Sequence, residues 1–192
     1  MKLVDGDGFD ALNLSAVAGD LGVGPSALYT HVDGLAGLRY LVAVQSTANL
    51  ANAIRNAAVG VAGDGALEAI GTAYRGFAHA NAGQFASTFL PPTSDNDDLA
   101  NANRSLLDVF VLVYRAMGLT ADESHLAARS TRSAIHGFCA LELASGTTPD
   151  HDAEYRHLLE TLRRGLRPDT NEAAIIESEP SRRRASSTGT KG

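Results

Sequence analysis

The sequence predicts an all-α fold, and three observations lead to that prediction. Alanine is abundant, whereas runs of β-branched and aromatic residues long enough for strands are scarce. Apolar residues recur at i, i+3, i+4 and i+7 in several windows, which is the period of a half-buried helix. Glycine, proline and polar capping residues separate these windows. A chain of 192 residues has room for one large core, or for a small domain attached to a larger one.

The stretch 13–38 predicts two short helices joined by a tight turn. Asn13 is placed to cap the first helix, and Gly22 follows it where a helix ends most easily. That helix has one apolar stripe, formed by Leu14, Val17, Ala18 and Leu21. Pro25 opens a second helix, predicted over 25–32, because its fixed φ suits the first helical position. This is the helix-turn-helix pattern, whose second helix enters the major groove of DNA.

The rest of the chain predicts helices separated by loops that are rich in glycine, proline and polar residues. Ser94 or Asp95 is expected to cap the helix that ends at Met117. Thr120 and Glu123 form the capping box T-x-x-E before the next helix. Helices are predicted over 35–58, 66–80 and 84–90. Further helices are predicted from the cap at Ser94 or Asp95 to residue 117, over 121–144 and over 149–166.

The charge balance is unfavourable for a protein that binds DNA. The formal net charge is −6, and residues 1–40 contain Lys2 and Arg39 against five aspartates, a sum of −3. Because cationic side chains supply most non-specific affinity for DNA, we expect this segment to bind weakly. The polar segment 168–192 is predicted to be disordered. Its arginine run 182–184 is either a solvated charge run or a DNA contact.

Cysteine usage and hydropathy indicate a cytoplasmic protein. The single cysteine, Cys139, excludes an internal disulfide and fits a reducing compartment, where it is expected to fill a packed helix. The N-terminal residues lack the apolar segment of a signal peptide, and no stretch is long enough to cross a bilayer. No membrane partner is therefore expected.

Residues 21–32, Leu-Gly-Val-Gly-Pro-Ser-Ala-Leu-Tyr-Thr-His-Val, resemble the L-G-V-x-x-x-x-L-Y-x-H-F/V pattern of the TetR family of bacterial regulators. A weaker resemblance lies in Ala134-Ile135-His136-Gly137-Phe138. It is similar to the His-Gly-Phe half of a Trp…His-Gly motif in one branch of that family. The chain has no tryptophan, so the other half is missing. The resemblance covers the chain from Gly8 to about Pro168.

The resemblance implies a domain organisation. A helix-turn-helix DNA-binding domain is expected over 1–38, and a larger helical domain that binds an effector and dimerises over 39–167. The first helix of the family is expected to be truncated to its last turn at the start of this sequence. The implied function is a transcriptional repressor that a small molecule releases from DNA. The alternative is a helical ligand-binding or interaction protein whose DNA binding is impaired by loss of that helix.

The resemblance also implies which residues contact DNA. By position in the motif, the residues expected at base edges are Pro25, Ser26, Ala27 and Thr30. Those expected at phosphates are Asn13, Tyr29 and His31. The partner implied is a double-stranded operator.

Aromatic residues at helical spacing suggest where an effector binds. They are either packed core or, as in this family, the wall of a cavity. The candidates are Tyr74, Phe77, Phe110, Tyr114 and His136, with Phe85 and Phe89 as a lid. His136 is either a core histidine bonded to a neighbour or a polar anchor for the ligand. No arginine or lysine lies on the inward faces assigned, so a small apolar or aromatic effector is expected.

A repressor of this kind binds DNA as a homodimer, so one surface must be self-complementary. The last two helices supply small and large apolar groups for a four-helix interface. The candidates are Leu126, Ala127, Ser130, Ala134, Leu141, Leu158, Leu159 and Leu162. The alternative for each is that it buries its helix within one subunit.

No set of residues indicates catalysis, and no cofactor or metal is expected. Glu154-x-x-His157 has the spacing of a carboxylate-bridged di-iron helix, but the sequence contains no second such pair. The run 22–27 satisfies G-x-G-x-x-A, yet the dinucleotide fingerprint needs a preceding strand, whereas the residues before Gly22 have helical period. An enzyme is therefore the remotest alternative.

Overall fold

The computed structural model describes residues 1–94, 97–146 and 148–165, and within them the all-α prediction is confirmed. The predicted disordered tail and its arginine run lie outside these residues, as does Asp95. The helices are α1 Lys2–Asp7, α2 Leu14–Leu21, α3 Pro25–Leu28, α4 Gly34–Ala58, α5 Asp64–Ala80, α6 Ala82–Ser87, α7 Asp98–Ala116, α8 Ala121–Ser145 and α9 Pro149–Gly165.

Helix ends follow the capping residues closely. The Asn13 side-chain oxygen accepts the N–H of Ala16 at 2.8 Å, and Gly22 ends α2 in the left-handed conformation at φ 68°. The predicted capping box of Thr120 and Glu123 opens α8. The cap of α7 differs from the prediction, because Asp97 caps it instead of Ser94 or Asp95. Its Oδ1 accepts the N–H of Ala100, while its Oδ2 accepts N–H groups of the preceding loop.

The second helix of the helix-turn-helix is shorter than predicted. It ends at Leu28 instead of residue 32, and the chain continues as turns in which the N–H groups of His31 and Val32 both donate to the Leu28 carbonyl. Helix α4 then starts at Gly34 with φ 63°, a left-handed backbone conformation that glycine adopts readily. Leu21, predicted in the buried stripe of α2, is 60% exposed because that short helix packs through Ala18 instead.

Two apolar clusters organise the chain. The larger one joins α4, α5, α6, α7, α8 and α9, and its bulkiest members are aromatic. The smaller one contains only Val4, Leu12 and Val42 as fully buried members. Helix α4 contributes to both clusters, so the domain boundary predicted at 38/39 falls inside one continuous helix. The helix-turn-helix therefore depends on the first turns of α4 for much of its core.

None of the described helices combines the length and apolarity that a bilayer crossing requires.

Candidate DNA-binding and ligand-binding sites

The helix-turn-helix presents a continuous exposed surface around α3. Leu28 is buried and anchors the helix, whereas Tyr29 is 62% exposed. The remaining candidates for DNA contact with described side chains are also exposed: Asn13, Ser26, Ala27, Thr30 and His31. The small and polar residues of the motif thus lie together on the outside of the domain.

Several polar groups of this surface already have partners inside the domain. Asn13 caps α2 and also donates to the Ala11 carbonyl at 3.1 Å. The Thr30 hydroxyl donates to the Ala27 carbonyl at 2.7 Å, which leaves it able to accept but not to donate elsewhere. Arg39, one of the two cations of residues 1–40, donates to the Asp10 carbonyl and lies 5.6 Å from the Phe9 ring centroid. The domain therefore offers few cationic groups to a DNA backbone.

Helix α1 joins the helix-turn-helix to the larger core through α6. A Cβ on Gly83 would lie 1.7 Å from the Val4 carbonyl oxygen, so only glycine permits this approach. The Asp5 carboxylate accepts the backbone N–H of Gln84 at 2.9 Å and its side-chain amide at 2.6 Å. Helices α1 and α6 are therefore in direct contact.

Most of the aromatic residues predicted to line an effector cavity are packed core. Their exposed fractions are 1% or less at Tyr74, Phe85, Phe110 and Tyr114. The rings of Tyr74 and Phe110 lie 6.4 Å apart, and the Tyr114 hydroxyl bonds Thr131 at 2.5 Å. Phe77 is half-buried against the same core. For Tyr74, Phe85, Phe110 and Tyr114 the structure therefore supports the alternative of packed core, because they are buried among neighbours of the same subunit.

Phe89 and His136 instead lie on a surface groove of about 560 Å³ between α7 and α8. Three arginines line this groove, although none lies on the inward helix faces that were assigned from the sequence. Its described lining residues are Thr88, Phe89, Pro92, Ala100, Asn103, Arg104, Leu107, Arg129, Arg132, Ser133 and His136. The arginines were not predicted at the site because the apolar period of a helix marks only the face that it buries.

His136 connects the groove to the core. Its Nδ1 and the Tyr74 hydroxyl share a hydrogen bond of 2.8 Å, and its ring centroid lies 4.1 Å from that of Phe89. Burial, followed by the charge of Arg132, lowers the pKa of His136 to about 4. Burial also raises the pKa of the Tyr74 hydroxyl. Both groups are therefore neutral at pH 7, and His136 is a polar group at the groove and a bonded core residue at once.

A second polar region surrounds Glu142, whose side chain is only 1% exposed. Arg75 bonds both of its carboxylate oxygens, and His79 bonds Oε2 at 2.9 Å. The hydrogen bonds from Arg75 come first among the causes that lower the pKa of Glu142 to about 2. Arg75 also pairs with Asp152 of α9 at 2.7 Å. This region, the Glu142 cluster, ties α5, α8 and α9 together, and no motif in the sequence indicated it.

The predicted dimer residues divide into two groups. On α8, Leu126 and Leu141 are 69% and 73% exposed, and Ser130 is exposed as well. Ala127 and Leu159 are buried within the subunit, so we withdraw both from the interface. Leu158 and Leu162 are half-buried against the large core, and Ala134 is half-buried on α8. Of the predicted interface, the α8 residues are the ones that a partner can reach most easily.

Within the described ranges, no three His, Cys, Asp or Glu side chains converge in a way that could hold a metal ion. The free thiol of Cys139 is buried in the large core, where burial raises its pKa to about 12.

Comparisons with known proteins agree with this architecture. The family model described as "Tetracyclin repressor-like, C-terminal domain" matches residues 67–162. An uncharacterized HTH-type transcriptional regulator of Mycobacterium tuberculosis, Rv0681, is 30% identical over 155 residues, which cover 80% of this chain and 71% of that protein. That relative is named as a transcriptional regulator.

Solved structures show the same fold at lower identity. A protein of unknown function from Rhodococcus sp. RHA1 aligns with a TM-score of 0.70 and 20% identity, covering 87% of this chain and 91% of that one. A TetR transcriptional regulator from Legionella pneumophila aligns with a TM-score of 0.56 and 16% identity, covering 86% and 89%. These structures agree in fold, and the family model together with the regulator from Mycobacterium tuberculosis shows that the chain belongs to the TetR family of helix-turn-helix transcriptional regulators.

Proposed function

We propose that this regulator is a repressor that binds operator DNA as a homodimer and is released by a small-molecule effector. The observation that carries the DNA-binding part is the exposed surface of α3 and the following turn, held on the domain by the buried Leu28. A short second helix with an exposed outer face is what insertion into the major groove requires.

The DNA contacts follow from the motif positions. We assign base edges to Pro25, Ser26, Ala27 and Thr30, and phosphates to Asn13, Tyr29 and His31. This surface has no arginine for bidentate bonding to guanine, so it would select through hydroxyl bonds and apolar contact with thymine methyl groups. With Arg39 held against Phe9 and Asp10, few phosphates are neutralised. The affinity should therefore be modest and the salt dependence shallow.

Selection of operators from a random duplex library, followed by fluorescence anisotropy at several salt concentrations, tests this assignment. Tyr29→Ala should weaken binding to all sequences alike, whereas Ser26→Ala should mainly change sequence preference. Ser105→Ala, an exposed position on α7, is the matched control. Recovery of no preferred sequence would favour the alternative of a ligand-binding protein with impaired DNA binding. A steep salt dependence would contradict the charge argument.

We place the homodimer interface on the outer face of α8. Residues Leu126, Ser130, Ala134 and Leu141 share one side of this helix at 100° per residue, and Gly137 lies among them. A Cβ on Gly137 would meet no atom within 4 Å, so nothing inside the subunit requires a glycine there. Close packing against the α8 of a second subunit across a two-fold axis would explain why this position is a glycine.

Gly137→Leu and Leu126→Glu test the interface by analytical ultracentrifugation. Both should yield monomers whose helicity is retained, because neither position is needed for the core of the subunit. Arg115→Gln, exposed near the end of α7, serves as the control. A dimer that persists in both variants would remove the interface from this face.

We assign the effector to the groove between α7 and α8, with an apolar or aromatic body against Phe89. Phe89 follows the end of α6, and Gly83 near the start of α6 contacts α1. A ligand that prefers one position of α6 would therefore shift the spacing of the two helix-turn-helix domains in a dimer. The pair would then no longer fit successive major grooves.

Thermal-shift screening of aromatic compounds and fatty acids tests the effector assignment, because a ligand raises the melting temperature with occupancy. Phe89→Ala should reduce the shift, since it removes the exposed wall of the groove. Phe110→Trp should destabilise the protein with or without ligand, because Phe110 is fully buried in the core. An unchanged shift in Phe89→Ala would place the ligand elsewhere.

A further inference from the structure

The groove between α7 and α8 is formed by two facing stripes of side chains. Each stripe has the spacing i, i+3, i+4 and i+7, so each covers one face of its helix. The α7 stripe is Ala100, Asn103, Arg104 and Leu107, and the α8 stripe is Arg129, Arg132, Ser133 and His136. The turn after α6 closes one end with Thr88, Phe89 and Pro92. The volume of about 560 Å³ is within the range of small-molecule sites.

The charge of the described part of this groove is unbalanced. None of its described lining residues is acidic, whereas Arg129 and Arg132 are cationic, although the whole chain carries a net charge of −6. Arg129 and Arg132 form no ion pair with any described carboxylate. In contrast, Arg75 on α5 pairs with two carboxylates. A concave surface with one sign of charge attracts a ligand of the opposite sign.

Arg132 is fixed in position without being neutralised. Its Nη2 donates to the Asn103 side-chain oxygen at 2.6 Å, and an amide carries no charge. Next to it, His136 adds no negative charge and is held neutral at pH 7 by its lowered pKa of about 4. The guanidinium therefore keeps both its charge and its orientation at the groove, as a binding site for an anion requires.

Part of the groove surface is apolar. Phe89 is 54% exposed although its ring packs on His136 at 4.1 Å and on Phe85 at 5.7 Å. Leu107, Pro92 and Ala100 extend this surface along α7 and the preceding loop. A ligand that satisfies both the arginines of α8 and this apolar surface needs an anionic group at one end and an apolar chain or ring at the other.

We propose that the groove binds a small organic carboxylate, with its carboxylate on Arg132 and Arg129 and its apolar body on Phe89 and Leu107. The planar guanidinium matches a carboxylate with two parallel hydrogen bonds. This inference rests on the proposed effector site and names the chemical class of its ligand. The proposed ligand class is narrower than an apolar or aromatic molecule, because the ligand must also carry a negative charge.

Isothermal titration calorimetry of the full chain tests the proposal with octanoate and 2-naphthoate. The matched neutral probes are octanamide and 2-naphthamide, which keep the shape and remove the charge. At least one carboxylate should bind saturably, and its amide should bind at least about tenfold more weakly, the loss expected for a charge-assisted hydrogen bond. Arg132→Gln should lower carboxylate affinity by a similar factor. Arg132→Lys should recover only part of it, because lysine lacks the planar fork.

Arg115→Gln is the control, and melting curves of each variant establish that it is folded. Equal binding of amide and carboxylate would overturn the proposal, as would unchanged carboxylate affinity in a folded Arg132→Gln. Binding of the amides alone would overturn the carboxylate class and leave the groove as an effector site for neutral ligands. Absence of binding by all four probes would overturn the proposal, while operator binding in the same preparation separately tests the DNA-binding function.

Discussion

Helix α8 contributes to two polar regions that differ in how their charges are balanced. At Glu142, a carboxylate that is 1% exposed meets Arg75 and His79, and Arg75 in turn meets Asp152. At the groove, Arg129 and Arg132 meet no described carboxylate, and the surface is open to solvent. Internal countercharges stabilise a fold, whereas unbalanced charge on a concave surface is available to a ligand. We infer that the first region is structural and the second is functional.

The two regions are linked through neighbouring residues of α5. Tyr74 bonds His136 at the groove, and Arg75 bonds Glu142 in the cluster. Arg75 also lies 5.1 Å from the Tyr155 ring centroid, and the Tyr155 hydroxyl donates to the Gly71 carbonyl at 2.6 Å. The Glu142 cluster thus fixes the α5–α8–α9 assembly against which the groove is held.

Removal of the buried carboxylate should have the largest effect on stability. Glu142→Gln leaves Arg75 and His79 without their buried partner, and breaking a buried pair costs roughly 3–5 kcal/mol. For a chain of this size that corresponds to a fall in melting temperature of roughly 6–20 °C. Calorimetry of the variant measures this fall in melting temperature, and Glu154→Gln, at an exposed position, is the control. A change as small as the control's would mean that the cluster does not hold the helices together.

The pH dependence of stability in acid should come from Glu142. Because its pKa falls to about 2 in the folded state, the unfolded chain binds the proton first as pH drops. The stabilisation, about 3 kcal/mol, is fully present above the ordinary pKa and is lost progressively between about pH 4.5 and 2. Denaturant unfolding across this range should show the loss in the wild type. The difference in unfolding free energy between wild type and Glu142→Gln should shrink as the pH falls through this range. A constant difference would contradict the assignment of this pH dependence to Glu142.

At milder pH, a smaller loss of stability should come from protonation of His136. Its pKa of about 4 lies below the ordinary value, so the unfolded state binds the proton more readily. The contribution is present above about pH 6.5 and is lost as pH falls towards 4, the loss amounting to about 2 kcal/mol at pH 5. In His136→Gln, which retains a partner for the Tyr74 hydroxyl, this part of the pH dependence should disappear. Identical pH profiles of stability for wild type and His136→Gln above pH 5 would mean that His136 is not held neutral.

The groove arginines should matter least for stability. Arg132→Gln removes a charge that no described carboxylate balances, so the free energy of unfolding should change by less than about 1 kcal/mol. Chemical denaturation of the two proteins side by side measures the difference. A loss comparable with that of Glu142→Gln would make Arg132 a structural residue and remove the contrast between the regions.

Local rules predicted the helices well because each signal is contained within a few residues. Asn13, Gly22, Thr120 and Glu123 act through neighbouring backbone groups, and the structure uses all four as expected. The predicted length of α3 was wrong, because the chain after Leu28 continues as hydrogen-bonded turns that the sequence pattern does not distinguish from a helix. The Glu142 cluster and the arginine groove were not predicted because they join residues from separate helices. Periodicity identifies which residues face inward, but it does not identify which helix they face.

We propose that the groove is the effector site of a DNA-binding regulator. The direct measurement is the release of a selected operator by the carboxylate probe that binds most tightly. Fluorescence anisotropy monitors this release for the wild type and for Arg132→Gln. We predict that the probe releases the wild type from DNA in the concentration range in which it binds. Arg132→Gln should bind the same operator and stay bound at those concentrations. Equal release of both proteins, or no release of a wild type saturated with the probe, would contradict the claim.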